Sequence, residues 1–158
     1  MKTSSMQAKR LLEVILNGKW VANTNVKDQL SSVGLEKALA KFGELNSLAA
    51  LTFHLNYYIE GVLHFFEKGS LDIRDKYSFD LPRIESEQEW TELKESLFAN
   101  TEKLSKHIAL LSEDKLEETF VDEKYGNYRR NMEGIIEHCY YHLGQIVMLN
   151  KLMEKPDN

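Results

Sequence analysis

The stretch Glu137-His138-Cys139-Tyr140-Tyr141-His142-Leu143-Gly144-Gln145 decides how this chain reads. His138 and His142 are four residues apart. On a helix that spacing sets both imidazoles on one face, about 40° apart in projection and roughly 6 Å apart along the axis. Side chains on adjacent turns can then chelate one ion. Ile135, Ile146, Leu149, Leu152 and Met153 fall on the same face, whereas Glu133, Glu137, Lys151 and Glu154 fall elsewhere. The pattern predicts a helix with an inward apolar seam. Gly126-Asn127 is the turn before it, Asn127 its cap, and about Glu154 its end. Lys155-Pro156-Asp157-Asn158 reads as a tail. Burying two imidazoles in such a seam costs free energy unless each finds a partner. A shared metal supplies a partner to both, and hydrogen bonds within a core can do the same. The spacing alone leaves both readings open.

Outward from this helix, the chain shows three more long amphipathic segments. Met6, Ala8, Leu11, Leu12, Ile15 and Leu16 recur at helical spacing between about Ser4 and Asn17, with Asn17-Gly18 as a stop. Trp20 reads as a large apolar plug over one end of the core. Val26 to Leu30 and Leu35 to Phe42 read as short helical pieces. A second long helix is expected from an Asn46 cap to Lys68, ending at Gly69. Ala50, Leu51, His54, Tyr58, Gly61, Val62 and Phe65 share one of its faces, and Thr52, Asn56, Glu60 and Glu67 the opposite one. Ser70 to Glu85 is a long connection whose Tyr77, Phe79 and Leu81 should pack on the body of the protein. Ser86-Glu87-Gln88-Glu89 carries the capping-box pattern, and the helix after it presents Trp90, Leu93, Leu97, Leu104, Ile108 and Leu111, with a weaker Thr101 in the gap. Ser112 to Asn127 is a second long connection. No repeat, low-complexity tract or linker divides residues 1–158. The expected fold is a single all-α domain, a four-helix bundle with long connections, and such bundles build metal sites from facing helices.

Composition agrees with that class. The 158 residues are long enough for one sizeable core, and two prolines and eight glycines interrupt few helices. Twenty basic against 25 acidic residues give a net charge of -5, and Arg129-Arg130 is the only basic cluster, which argues against a nucleic-acid partner. One cysteine, Cys139, excludes an internal disulfide and suits a reducing compartment. Neither a signal-peptide core nor a membrane span is visible, since the apolar run Leu48 to Phe66 is broken by His54, Asn56, Glu60 and His64. These features place the protein in the cytoplasm.

His54 supplies a third inward imidazole from another helix. Three histidines on two helices suit a His₃ centre with an open position, the arrangement of catalytic zinc, although imidazole also suits Ni, Fe and Cu. His64 lies roughly 15 Å further along its helix and about 80° round from His54, so it reads as a boundary residue. His107 is expected at the surface. Cys139 points about 100° away from His138 and reads as a small buried residue. Gln145, one turn from Tyr141 and His142, can orient a ligand or substrate. Tyr58 and Tyr141, with Tyr57 and Tyr140, can wall a pocket or simply fill the core.

These residues resemble the DinB-like family of helical metalloproteins over nearly the whole chain. The resemblance is carried by Gly18-Lys19-Trp20, Asn46-Ser47-Leu48 leading to His54-Leu55, Trp90, and Tyr128-Arg129-Arg130-Asn131 leading to His138-Cys139-Tyr140-Tyr141-His142-Leu143-Gly144-Gln145-Ile146. The last segment is the most specific. The resemblance implies a homodimeric four-helix bundle holding a divalent ion, such as Zn or Ni, through His54, His138 and His142. Leu143 stands where many relatives carry arginine, which removes any substrate contact made through that side chain. Some relatives are thiol-dependent enzymes, including bacillithiol S-transferases. The resemblance thus implies a metal-dependent transferase joining a low-molecular-weight thiol to an electrophile, with no catalytic side chain assigned. The alternatives are a non-enzymatic metal-binding or interaction protein and a plain helical dimer.

Overall fold

The structure, a computed structural model, describes residues 1–154; the expected tail Lys155-Pro156-Asp157-Asn158 lies outside the described residues. The protein is all-helical. The helices are α1 (Thr3–Leu12), α2 (Val26–Leu30), α3 (Leu35–Leu39), α4 (Leu48–Lys68), α5 (Glu87–Ala109), α6 (Glu113–Glu117) and α7 (Tyr128–Leu152). A π turn, Glu13–Asn17, prolongs α1, so the first helical stretch does end at Asn17. There is no strand among the described residues, where the single β-type contact is an isolated bridge between Thr119 and Asn127.

Local chemistry sets the ends of the long helices. Ser86 Oγ accepts from the Glu89 N–H, and the Glu89 carboxylate accepts from the Ser86 N–H, completing the capping box of α5. Asn127 caps α7 through the Arg130 N–H. The cap of α4 is Ser47, not Asn46: its Oγ accepts from the Ala50 N–H at 3.1 Å. Such a cap contributes about 1 kcal/mol. Gly69 closes α4 in the left-handed conformation, at φ 82°.

α4 packs on α5, α5 on α1, α1 on α7 and α7 on α4, and α2 and α3 fill in around one end. One apolar cluster runs through them, from Leu11 and Ile15 to Leu55, Ile59, Leu97, Leu104, Ile136 and Ile146. One expectation about its edge is corrected. Trp20 is 91 % exposed, because α2 packs on the π turn and Val26, Leu30 and Val33 take up core positions there. The buried tryptophan is Trp90, fully enclosed, with its indole N–H donating to the Val33 carbonyl at 2.7 Å. On α4, Thr52 and Asn56 are buried although they stand opposite His54. The helix is covered on one side by α5 and on the other by α7, so only Glu60 and Glu67 of that face reach solvent. Thr52 returns its hydroxyl to the Leu48 carbonyl, and Asn56 bonds to Ser96 and Asn100 of α5.

The connection from 70 to 85 packs down through Leu71, Leu81 and Ile84, but of the side chains expected to seat it Tyr77 and Phe79 remain exposed. Its seat on α4 depends on Gly61, where any Cβ would run into Ile73 Cγ2. The second connection contains α6, which Arg129 ties to α7 through Glu113 and Glu117; Arg130 pairs with Glu137 along α7 itself. No helix of the described residues is long and apolar enough to cross a membrane.

Candidate metal centre

α4 and α7 run antiparallel: His54 faces His138 and His142, while Phe65, three turns on, faces Tyr128 near the start of α7. The three histidines that the sequence singles out are thereby brought together. His54 Nε2 and His138 Nε2 are 3.0 Å apart, and His142 Nε2 and His138 Nε2 are 2.9 Å apart. His54 and His142 are buried and His138 half-buried.

The second nitrogen of two of these rings decides what the first can do. His54 Nδ1 lies 3.2 Å from the Ser78 carbonyl, and His142 Nδ1 lies 2.6 Å from Gln145 Oε1. Both partners are oxygens that only accept, so both Nδ1 atoms carry the proton and both Nε2 atoms present a lone pair. Each lone pair aims at His138 Nε2. That nitrogen holds at most one proton in a neutral ring, and one N–H cannot satisfy two acceptors facing it. The cluster is therefore left short of a positive charge or a donor.

Protonation is the expensive way to supply it. Burial, then the charge of neighbouring His142, pulls His54 down to about 4; the same two causes, with His54 added, pull His138 to about 4. Burial also lowers His142, against the opposing bond to Gln145. All three rings are neutral at pH 7, the form that ligates metal. A tetrahedral zinc with Zn–N bonds of about 2.05 Å needs nitrogens about 3.3 Å apart, so His138 need part from each neighbour by only a few tenths of an ångström, and all three ligand atoms already lie within 4.8 Å of one another. The donor set fits a divalent ion.

The surroundings hold these rings in place. Phe79 stacks on His54, with centroids 3.9 Å apart and planes at 10°. Tyr58 lies edge-on to both His54 and His138 and donates its hydroxyl to Asp75 Oδ1 at 2.7 Å. Burial first, and that bond second, push its phenol up to about 12, so it stays protonated. Tyr141 meets His142 edge-on but is 65 % exposed, and it accepts a long bond from Gln145 Nε2. Gln145, one turn from Tyr141, accepts from His142 Nδ1. Ser78, Phe79 and Asp75 are the site residues that sequence reasoning misses. They come from a connection with no periodicity, and only its apolar Tyr77, Phe79 and Leu81 hint that it folds back.

The other candidates fall elsewhere. His64 is exposed beside Ser70 and Asp72, away from the cluster. His107 is half-buried, not exposed, because Phe66 stacks on it. Cys139 is enclosed in the core, and burial pushes its thiol up to about 12, which makes it an inert packing residue. Leu143 is buried on the core side of α7.

One further feature adjoins the cluster. A cleft of about 540 Å³ opens between α4 and α7, with Tyr58 and His138 in its wall. The ring that shares both short contacts is therefore also the one that meets an accessible space. Comparison with protein-family models, with curated proteins and with solved structures gives no match to this chain.

Proposed function

We propose that His54, His138 and His142 bind one divalent cation, Zn or Ni, and that the protein is a four-helix-bundle metalloprotein of DinB-like type. The observation that carries the reading is the convergence of three Nε2 atoms, two with lone pairs aimed inward by Ser78 and Gln145. Hydrogen bonds alone leave that arrangement one donor short, whereas a cation meets all three nitrogens at once. Elemental analysis of purified protein is the test. Native protein should carry close to one ion per chain, and His54→Ala and His138→Ala should carry almost none. Near-stoichiometric metal in either variant sinks the triad assignment.

We further propose that the centre is catalytic and that its reaction joins a low-molecular-weight thiol to an electrophile. The accessible cleft beside His138 favours this over a closed structural ion, and the DinB-like resemblance supplies the thiol. When bound, the ion supplies a Lewis acid that lowers the pKa of a coordinating thiol. The protein's own part is positional. Ser78 and Gln145 hold the ligating rings, Phe79 covers His54, and Tyr58 stands edge-on to His54 and His138 with its hydroxyl held by Asp75. Metal-loaded protein incubated with a panel of thiols and an electrophile should consume both. Binding of metal without turnover or thiol binding across the panel favours the non-enzymatic reading. A homodimer belongs to the same proposal, and sedimentation at two concentrations tests it.

A further inference from the structure

The cleft beside His138 joins apolar walls to one cationic side chain. On α7 its wall is formed by Asn131, Gly134, Ile135 and His138, a strip of about 10 Å along the axis. Across from it stand Tyr58 and Val62 of α4, and the two connections close over it with Leu71, Ile73 and Phe120. The middle is therefore apolar. Beside the histidine cluster, Asp75 is already engaged by the Tyr58 hydroxyl. The one cationic side chain of the wall, Arg130, runs back along α7, where its Nη1 bonds to Glu137; Glu137 is not part of the cleft wall, and the other guanidinium N–H groups remain to donate. Gly134 lies beside that guanidinium. A Cβ built there would meet only Arg130 Nη1, at 3.8 Å, so the missing side chain leaves room along the strip.

We propose that this cleft binds a small molecule with an apolar body and an anionic group held by Arg130. The occupancy of the cleft does not rest on the metal-centre reading above. Carboxylate, sulfonate and phosphate ends share the chemistry that a guanidinium reads. An apolar wall selects the body by burial, and the single cationic group selects the sign of the end.

The probes are 1-octanesulfonate, octylammonium and 1-octanol, titrated calorimetrically into the full chain, metal-loaded and metal-free. The expected result is one-to-one binding of the sulfonate, at least tenfold tighter than the ammonium, with the alcohol between them. Gly134→Leu fills the strip and should weaken the sulfonate at least tenfold. Arg130→Gln, on the surface and harmless to folding, should erase the preference for the anion. Glu137→Gln releases the guanidinium and should tighten the sulfonate a few-fold. Equal affinity for sulfonate and ammonium, native affinity in Gly134→Leu, or no binding to the native protein overturns the proposal. Metal content measured on the same samples separates the two readings. His142→Ala that lacks metal yet binds the sulfonate defeats neither the cleft nor its ligand class, whereas metal-loaded protein that fails to bind defeats the cleft alone.

Discussion

α4 carries two buried polar clusters on opposite sides, and they solve the same problem differently. Asn56 meets α5, where it donates to Ser96 Oγ and accepts from Asn100 Nδ2 at 3.0 Å. His54, two residues earlier, meets α7, where its ring faces two others. Amides and hydroxyls carry both donors and acceptors, so the Asn56 cluster closes on itself and needs nothing from outside. Three imidazoles with two tautomers pinned from behind do not close. The difference separates a structural polar contact from a site: burial is common to both, but only the histidines are left with lone pairs converging on one point.

The comparison breaks most sharply at the metal. His142→Ala should lower zinc affinity on the order of a thousandfold by removing one of three ligands, read by competition with a chromogenic chelator, while Asn56→Ala should leave affinity unchanged. Equal losses in the two variants would mean that general loosening, not ligation, controls binding. Next in size, Gln145→Leu should cost about 10–100-fold in affinity, because His142 loses the acceptor that fixes its tautomer. An unchanged affinity there removes Gln145 from the site. Asn100→Ala should destabilise the fold by about 1–2 kcal/mol in urea titration through the unpaired Asn56 oxygen, without altering metal content.

The smallest effect is with pH, and its size is itself informative. With His54 and His138 pulled to about 4, protons compete weakly for the rings. Zinc affinity should fall less than tenfold between pH 7.5 and 5.5, where three ordinary imidazoles would lose on the order of a thousandfold. The metal-free fold should behave oppositely. Its unfolded chain takes up protons below the ordinary histidine value of about 6.5, and the folded rings resist until about 4, so stability falls as pH drops through that window. A metal-free urea midpoint that stays flat from pH 7 to 4.5 would contradict the neutral cluster.

Much of this was legible in residue order because it depends on near neighbours. The Ser86 capping box, the Asn127 cap, the Gly69 stop and the inward faces of His54, His138 and His142 all follow from spacings of three or four residues. Cys139 as inert packing follows the same way. Misreadings begin where a face depends on what lies across from it. Trp20 looks like core until α2 takes its place, and nothing in residue order says that α5 covers Thr52 and Asn56.

By itself, then, the sequence determined the helices, their ends and which three imidazoles point inward, since all of these are settled by local hydrogen bonding and helical period. Only the tertiary structure decided what those imidazoles do. The proton on His54 is placed by Ser78, 24 residues away in a connection without periodicity, and the cleft beside His138 exists because Gly61 lets Ile73 sit down on α4. Such contacts are selected by packing between distant segments, and no spacing within a helix encodes them.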